Sequence, residues 1–375
     1  MPRSKPPFRA DHVGSLLRPS ALKEARSRRE RGEISPDVLA AVEDREIETV
    51  IRRQEDIGLQ AVTDGEFRRA FWNYDFLGNL DGVEAYLGER KIKFQGAQPR
   101  PMMLRVVHKL GSYTPHPMVE HFQFLKTHSR VMAKMTIPSP SSLHFRYGRD
   151  AVPEAIYPSM DDFYDDLGET YRKTTRAFAD AGCRYLQLDE VNFAYLCDPK
   201  LRDVVANRGE DPQRLPHIYA AMINRALSDL PADMTTAMHL CRGNFRSTFV
   251  ASGGYEPVAE ILFNEINIQG YFMEYDTERA GGFEPLRFVP KDKVVVLGLV
   301  TSKSGKLESK DEIKRRIEEA AKFVPLEQLC LSPQCGFAST EEGNILAEDE
   351  QWAKLERIVD IAREVWGNHG SGTRH

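Results

Sequence analysis

Met234-Thr235-Thr236-Ala237-Met238-His239-Leu240-Cys241-Arg242-Gly243-Asn244 is the stretch from which the fold is read. Residues 234–238 have the character of a buried strand, and Gly243 marks where it stops. Side chains alternate faces along a strand, so His239 and Cys241 point the same way, about two strand rises apart. That spacing lets an imidazole and a thiolate reach one zinc ion. Alone the pair says little, because buried histidines and small thiols are ordinary core residues. Its weight comes from similar runs along the chain, each ending in polar residues.

Outward from this strand, apolar runs alternate with amphipathic helical stretches. Residues 11–15 end a first strand, helices follow over 20–32 and 36–57, and 61–66 hold the second strand and its exit. The third strand is 131–137, and a helix over 157–181 leads into the fourth at 185–190. A helix near 213–228 precedes the strand with His239, the fifth; the sixth is 268–273 and the seventh 293–299. A helix over 308–322, a short eighth strand at 329–331 and a closing helix over 345–365 complete the series. Eight strands alternating with helices predict an α/β fold, a single (β/α)8 TIM-barrel domain over 1–375.

One segment breaks the rhythm. Residues 80–130, with Lys91-Ile92-Lys93-Phe94 and Arg105-Val106-Val107, read as strands or loops inserted between barrel strands two and three. A connection that long is usually a lid or another functional element, and a flank decoration is the plain alternative. The tail, 368–375, reads as disordered.

Composition narrows the class. An apolar content of 41% supplies a sizeable core, and a net charge of −5 with interspersed signs argues against a nucleic-acid partner. No apolar run approaches membrane-spanning length, and no apolar segment follows the N-terminal Met-Pro-Arg-Ser, so a cytoplasmic protein is expected. Five cysteines, an odd and sparse set, do not form a disulfide framework; metal binding or catalysis is the better use for some of them.

Ser15, Glu66, Asp189, His239, Cys241, Glu274 and Cys335 all sit where predicted strands end. In a (β/α)8 barrel those ends form one rim, where active sites are built. Each residue has an ordinary alternative, a rim salt bridge or a buried thiol, but the joint pattern outweighs any member. Cys335 is the natural third ligand after His239 and Cys241, and Glu274 the best fourth, displaceable one. Glu265 ranks lower because it falls on the preceding helix or loop. Zinc held this way would lower the pKa of an incoming thiol and keep it as the nucleophilic thiolate.

These residues carry a resemblance. His12-Val13-Gly14-Ser15, Asp64-Gly65-Glu66-Phe67-Arg68, Leu186-Gln187-Leu188-Asp189-Glu190, His239-x-Cys241 and Pro333-Gln334-Cys335-Gly336 resemble the catalytic barrel of cobalamin-independent methionine synthases, notably their short single-barrel relatives. The resemblance implies a zinc site of His239, Cys241, Glu274 and Cys335, and homocysteine held by Ser15, Glu66 and Asp189. It implies methyl transfer to the homocysteine thiol, with Asp189 at the reacting centre. Three departures stand out. The chain has no room for a second, N-terminal barrel. Where the folate-dependent enzyme has a histidine thought to protonate the departing folate nitrogen, the loop after strand seven offers Lys303, the candidate general acid. The span from Cys241 to Glu274 is longer, with Gly253-Gly254-Tyr255-Glu256-Pro257 inserted or rebuilt.

The reading is therefore a zinc-dependent methyltransferase making methionine from homocysteine. Methyl-folate, methylcobalamin and other small donors stay open, as do a donor-delivering partner protein and a homo-oligomer. The runner-up is zinc-dependent alkyl transfer to another thiol, such as epoxide opening by coenzyme M. Two further rivals are a zinc-holding regulatory homologue without turnover and a metal-free barrel of the uroporphyrinogen decarboxylase type, in which arginines would gather at the rim.

Overall fold

The computed structural model describes residues 3–88 and 101–367. Ten strands occur there: β1 (Ala61–Val62), β2 (Val83–Leu87), β3 (Met102–Val106), β4 (Met132–Ala133), β5 (Met135–Pro138), β6 (Tyr185–Glu190), β7 (Thr235–Leu240), β8 (Gly270–Glu274), β9 (Val294–Val300) and β10 (Leu329–Pro333). Six form one parallel sheet in the order β10-β9-β8-β7-β6-β5, and β1 pairs in parallel with β4, one residue upstream of β5. Helices alternate with these strands, giving a mixed α/β fold. The long ones, Pro36–Asp56, Met160–Asp180 and Glu348–Trp366, each bury one face against the sheet layer.

The first two predicted strands are much shorter than the sequence suggests. Around Ala10 there is a single parallel bridge to Leu331, because the Asp11 carboxylate takes the Phe8 and His12 N–H groups that would extend a ladder. Strand β1 stops at Val62 because the Gln54 amide satisfies both the N–H and the C=O of Thr63. The inserted segment also differs from the strands or loops expected. It holds the antiparallel hairpin β2–β3 and a helix, Pro117–His128, with Met118, Phe122 and Leu125 buried at helical spacing. The Lys91–Phe94 stretch and the tail 368–375 lie outside the described residues.

A large apolar core lies between helices and sheet. A second, smaller cluster gathers Phe8, Val13, Ala61, Tyr185, Ala237, Phe272, Val294, Val296 and Cys330. Its members come from the Ala10 segment, β1 and β6 to β10, so these strands share one inner face. On that face Lys134 is fully buried, 3.1 Å from Asp11 Oδ1 and 2.5 Å from His12 O, with its ammonium over the Phe272 ring at 4.0 Å. Among the described residues no helix is long and apolar enough to cross a membrane.

Candidate functional site

Strand register brings the metal-ligating residue types together. Asp189 pairs with His239 and His239 with Phe272, so the next in-phase positions are Cys241, one residue past the end of β7, and Glu274, the last residue of β8. Cys335 enters two residues after β10 ends. The ligand atoms of His239, Cys241, Glu274 and Cys335 lie within 4.8 Å of one another, and all four residues are buried. The two sulfurs are 3.5 Å apart and not bonded. Glu265 lies apart on the surface, paired with His217 at 2.9 Å.

The electrostatics suit a cation. Hydrogen bonding between the two sulfurs holds the Cys335 thiol well below its ordinary pKa and pushes Cys241 well above. Burial works against the His239 imidazolium, but the adjacent Cys335 sulfur, Asp189 and Glu274 more than reverse it. Neither imidazole nitrogen of His239 has a hydrogen-bond partner of ordinary geometry. Buried polar atoms are rarely left so. An imidazole, two thiol groups and a carboxylate are a donor set that fits a borderline-soft divalent ion.

Glu274 is restrained from several sides. Its Oε1 accepts the Arg242 N–H at 3.0 Å, and its Oε2 pairs with Arg279 at 3.0 Å. Its own N–H donates to the Tyr255 hydroxyl at 3.0 Å, and the Arg242 guanidinium stacks 4.2 Å above the Tyr255 ring. Tyr255, within the Gly253–Pro257 segment, thus helps to fix the fourth candidate ligand, a role sequence alone did not reveal. Burial raises the Glu274 pKa, but the charges of Lys303 and Arg279 and the Arg242 N–H bring it below the ordinary value. The Lys303 Nζ is buried and has no hydrogen-bond partner among the described residues.

Next to the cluster is a cavity of about 30 Å³, lined by Ser15, Glu66, Asp189, His239, Cys241 and Cys335 among others. Six of the seven strand-end residues read from sequence as ligands or substrate contacts meet at this one cavity; Glu274 and Lys303 are absent from its lining. Ser15 is pinned to the Cys335 loop: its Oγ accepts the Ala338 N–H at 3.3 Å and its C=O accepts the Phe337 N–H at 2.9 Å. A Cβ at Gly336 would collide with that hydroxyl, so only glycine permits the approach. Glu66 sits in the left-handed region at φ 59°, its N–H held by Asp64 Oδ1 at 2.8 Å. That conformation costs about 1–3 kcal/mol for a non-glycine residue and is typical of functional positions. Thr136 donates to Glu66 Oε1 at 2.9 Å, and Arg69 pairs with Oε2. Asp189 accepts from Gln187 Nε2 at 2.7 Å, and burial raises its pKa.

Arg69, Trp72, Arg146 and Asn244 also line the cavity, and sequence reasoning missed all four. Arg69 had a signal, three residues after Glu66 in a turn; Asn244 follows Gly243 in the organising stretch and donates to Gly336 O at 2.9 Å. Arg146 stands in an irregular segment after β5 with no periodicity to assign its direction.

The family model for the cobalamin-independent synthase catalytic domain matches residues 8–364. A Bacillus subtilis protein, YxjH, itself described as uncharacterised, is 50% identical over 364 residues, 96% of each chain. A solved Listeria monocytogenes structure, described as a candidate vitamin B12-independent methionine synthase, is 41% identical, with TM-score 0.79 over 98% of this chain and 100% of that one. A B12-independent methionine synthase from Shewanella sp. W3-18-1, solved with selenomethionine, shares the fold at 20% identity, with TM-score 0.71 over 96% and 97% of the two chains. With the match running across nearly the whole sequence, the chain belongs to the family of the cobalamin-independent synthase catalytic domain.

Proposed function

We propose that this protein is a zinc-dependent thiol methyltransferase that converts homocysteine to methionine. The carrying observation is the buried convergence of His239, Cys241, Glu274 and Cys335, three of which line one cavity together with Ser15, Glu66 and Asp189. We read the fold as a (β/α)8 barrel forming a single domain. The bridge from Ala10 to Leu331 and the bond from the Leu16 N–H to Gly65 O support closure through the first two strand segments.

Zinc would supply a Lewis acid that lowers the pKa of the acceptor thiol and keeps it as the thiolate. His239, Cys241 and Cys335 would hold the ion, with Glu274 as the displaceable fourth ligand. The Arg242 N–H and Arg279 would hold the Glu274 carboxylate whether or not it served as a ligand. Asp189 takes the α-ammonium, because no cation is in hydrogen-bond contact with it among the described residues. Ser15 and its backbone take the carboxylate. In the transfer, the sulfur–methyl bond forms as the donor's methyl–X bond breaks, the electron pair leaving on X. The thiol proton goes to solvent, and Lys303 would protonate a basic X.

One observation favours the runner-up. Arg69 and Arg146 line the cavity, and guanidinium groups suit the sulfonate of coenzyme M. Asp189, which has no cationic hydrogen-bond partner among the described residues, favours an ammonium-bearing thiol instead. The test supplies zinc-loaded protein with homocysteine and a panel of methyl donors and follows methionine. Turnover with coenzyme M and an epoxide, and none with homocysteine, would transfer the assignment to the runner-up.

A further inference from the structure

Most buried arginines in this protein have close partners, and Arg242, with one 3.5 Å bond to Ala280 O, is stacked on Tyr255 away from the cavity lining. Arg9 and Arg18 donate to backbone carbonyls, and Arg69 to Glu66 and to Ser339 O. Arg146 does not fit this pattern. It is only 8% exposed, and among the described residues its Nε has no hydrogen-bond partner and its one side-chain hydrogen bond is a long 3.4 Å contact to the Tyr195 hydroxyl. Trp72 lies 5.9 Å from the guanidinium, and no carboxylate within 4.0 Å pairs with it among the described residues. A buried charge without a counter-ion is costly unless something else provides one.

Its position says what that is for. Arg146 is the one residue common to the lining of the inner cavity and of an outer cavity of about 760 Å³, which Met160, Tyr164 and Ile218 also line. The outer volume falls in the usual range for small-molecule sites, roughly 300–1,000 Å³. The inner cavity, about 30 Å³, has room for a water or two and cannot take two substrates side by side. The second substrate must therefore reach the sulfur from outside, past Arg146.

Resting on the methyltransferase reading above, we propose that Arg146 is the anion-binding residue for the methyl donor. The donor carries a carboxylate or phosphate held by this guanidinium, its body lies in the outer cavity, and its methyl group faces the inner one. The donor leaves demethylated, with the bonding electron pair. A donor that is purely a sulfonium cation does not match this wall.

The test measures binding to zinc-loaded protein saturated with homocysteine, using 5-methyltetrahydrofolate triglutamate and inorganic phosphate as probes in calorimetry. Wild-type protein should bind at least one of them. Arg146→Gln should weaken that binding roughly 10- to 100-fold, the loss expected for charge-assisted hydrogen bonds, and Arg146→Lys should fall between. Homocysteine affinity, measured separately, should be unchanged in both variants. Failure of both probes to bind wild-type protein, or equal binding to wild type and Arg146→Gln, overturns the proposal. So does a loss in Arg146→Gln that falls on homocysteine, which would make Arg146 an acceptor residue. Failure of wild-type protein to bind homocysteine would instead sink the underlying methyltransferase reading.

Discussion

Asp189→Asn separates the acceptor-binding role of this site from its metal-binding role. The substitution keeps shape and the Gln187 contact at 2.7 Å, and removes one buried negative charge facing the cavity. If Asp189 holds the α-ammonium, the variant loses one charge-assisted hydrogen bond, about 1.5–3 kcal/mol or roughly 10- to 150-fold in affinity. Glu66→Gln should lose less, because Arg69 already neutralises that carboxylate. The assay is calorimetry on zinc-loaded protein with two thiols, homocysteine and 4-mercaptobutyrate, which lacks only the amino group. Asp189→Asn should weaken the first and leave the second unchanged. Burial holds the Asp189 carboxyl above its ordinary pKa, so the charged form is lost as pH falls through a raised value. The preference of wild-type protein for homocysteine should therefore fade at a higher pH than a solvent-exposed aspartate would give. Equal loss for both thiols would refute the ammonium role.

Cys241→Ser and Cys335→Ser should each abolish zinc retention, read by elemental analysis, while circular dichroism stays native, because neither residue supports the sheet. Lys134→Met should destabilise the protein by about 3 kcal/mol in urea denaturation, since it strands Asp11 in the interior with only the Phe8 and His12 N–H groups and the Tyr185 hydroxyl as donors. Lys303→Met should slow methyl transfer roughly 10²-fold with a donor whose leaving atom is a basic nitrogen. With methylcobalamin the same variant should keep its rate, and zinc content should be unchanged in both cases.

Much of this site was legible because strand ends are legible. His239-x-Cys241 follows a run whose alternation assigns both side chains to one face, and β7 confirms that phase by pairing His239 with Asp189 on β6. Strands β6 to β10 fall close to the predicted positions because their apolar runs are long. The first two predicted strands shrank for reasons no periodicity carries: Asp11 and Gln54 side chains capture backbone groups that would have extended a ladder. The helix Pro117–His128 did leave a signal, proline at its first position and Met118, Phe122 and Leu125 at helical spacing, hidden by the strand-like stretches before it. Arg146 and Tyr255 could not be assigned in advance, since both sit in irregular segments where direction depends on tertiary contacts.

The central claim is that the acceptor sulfur joins the metal cluster in place of Glu274. The most direct measurement is zinc-edge X-ray absorption on zinc-loaded protein before and after homocysteine is added. Cys241 and Cys335 are the two sulfur donors of the cluster, so the sulfur count at zinc should rise from two to three as the oxygen contribution falls. A count that stays at two with homocysteine bound, or full activity in protein free of zinc, would contradict the account.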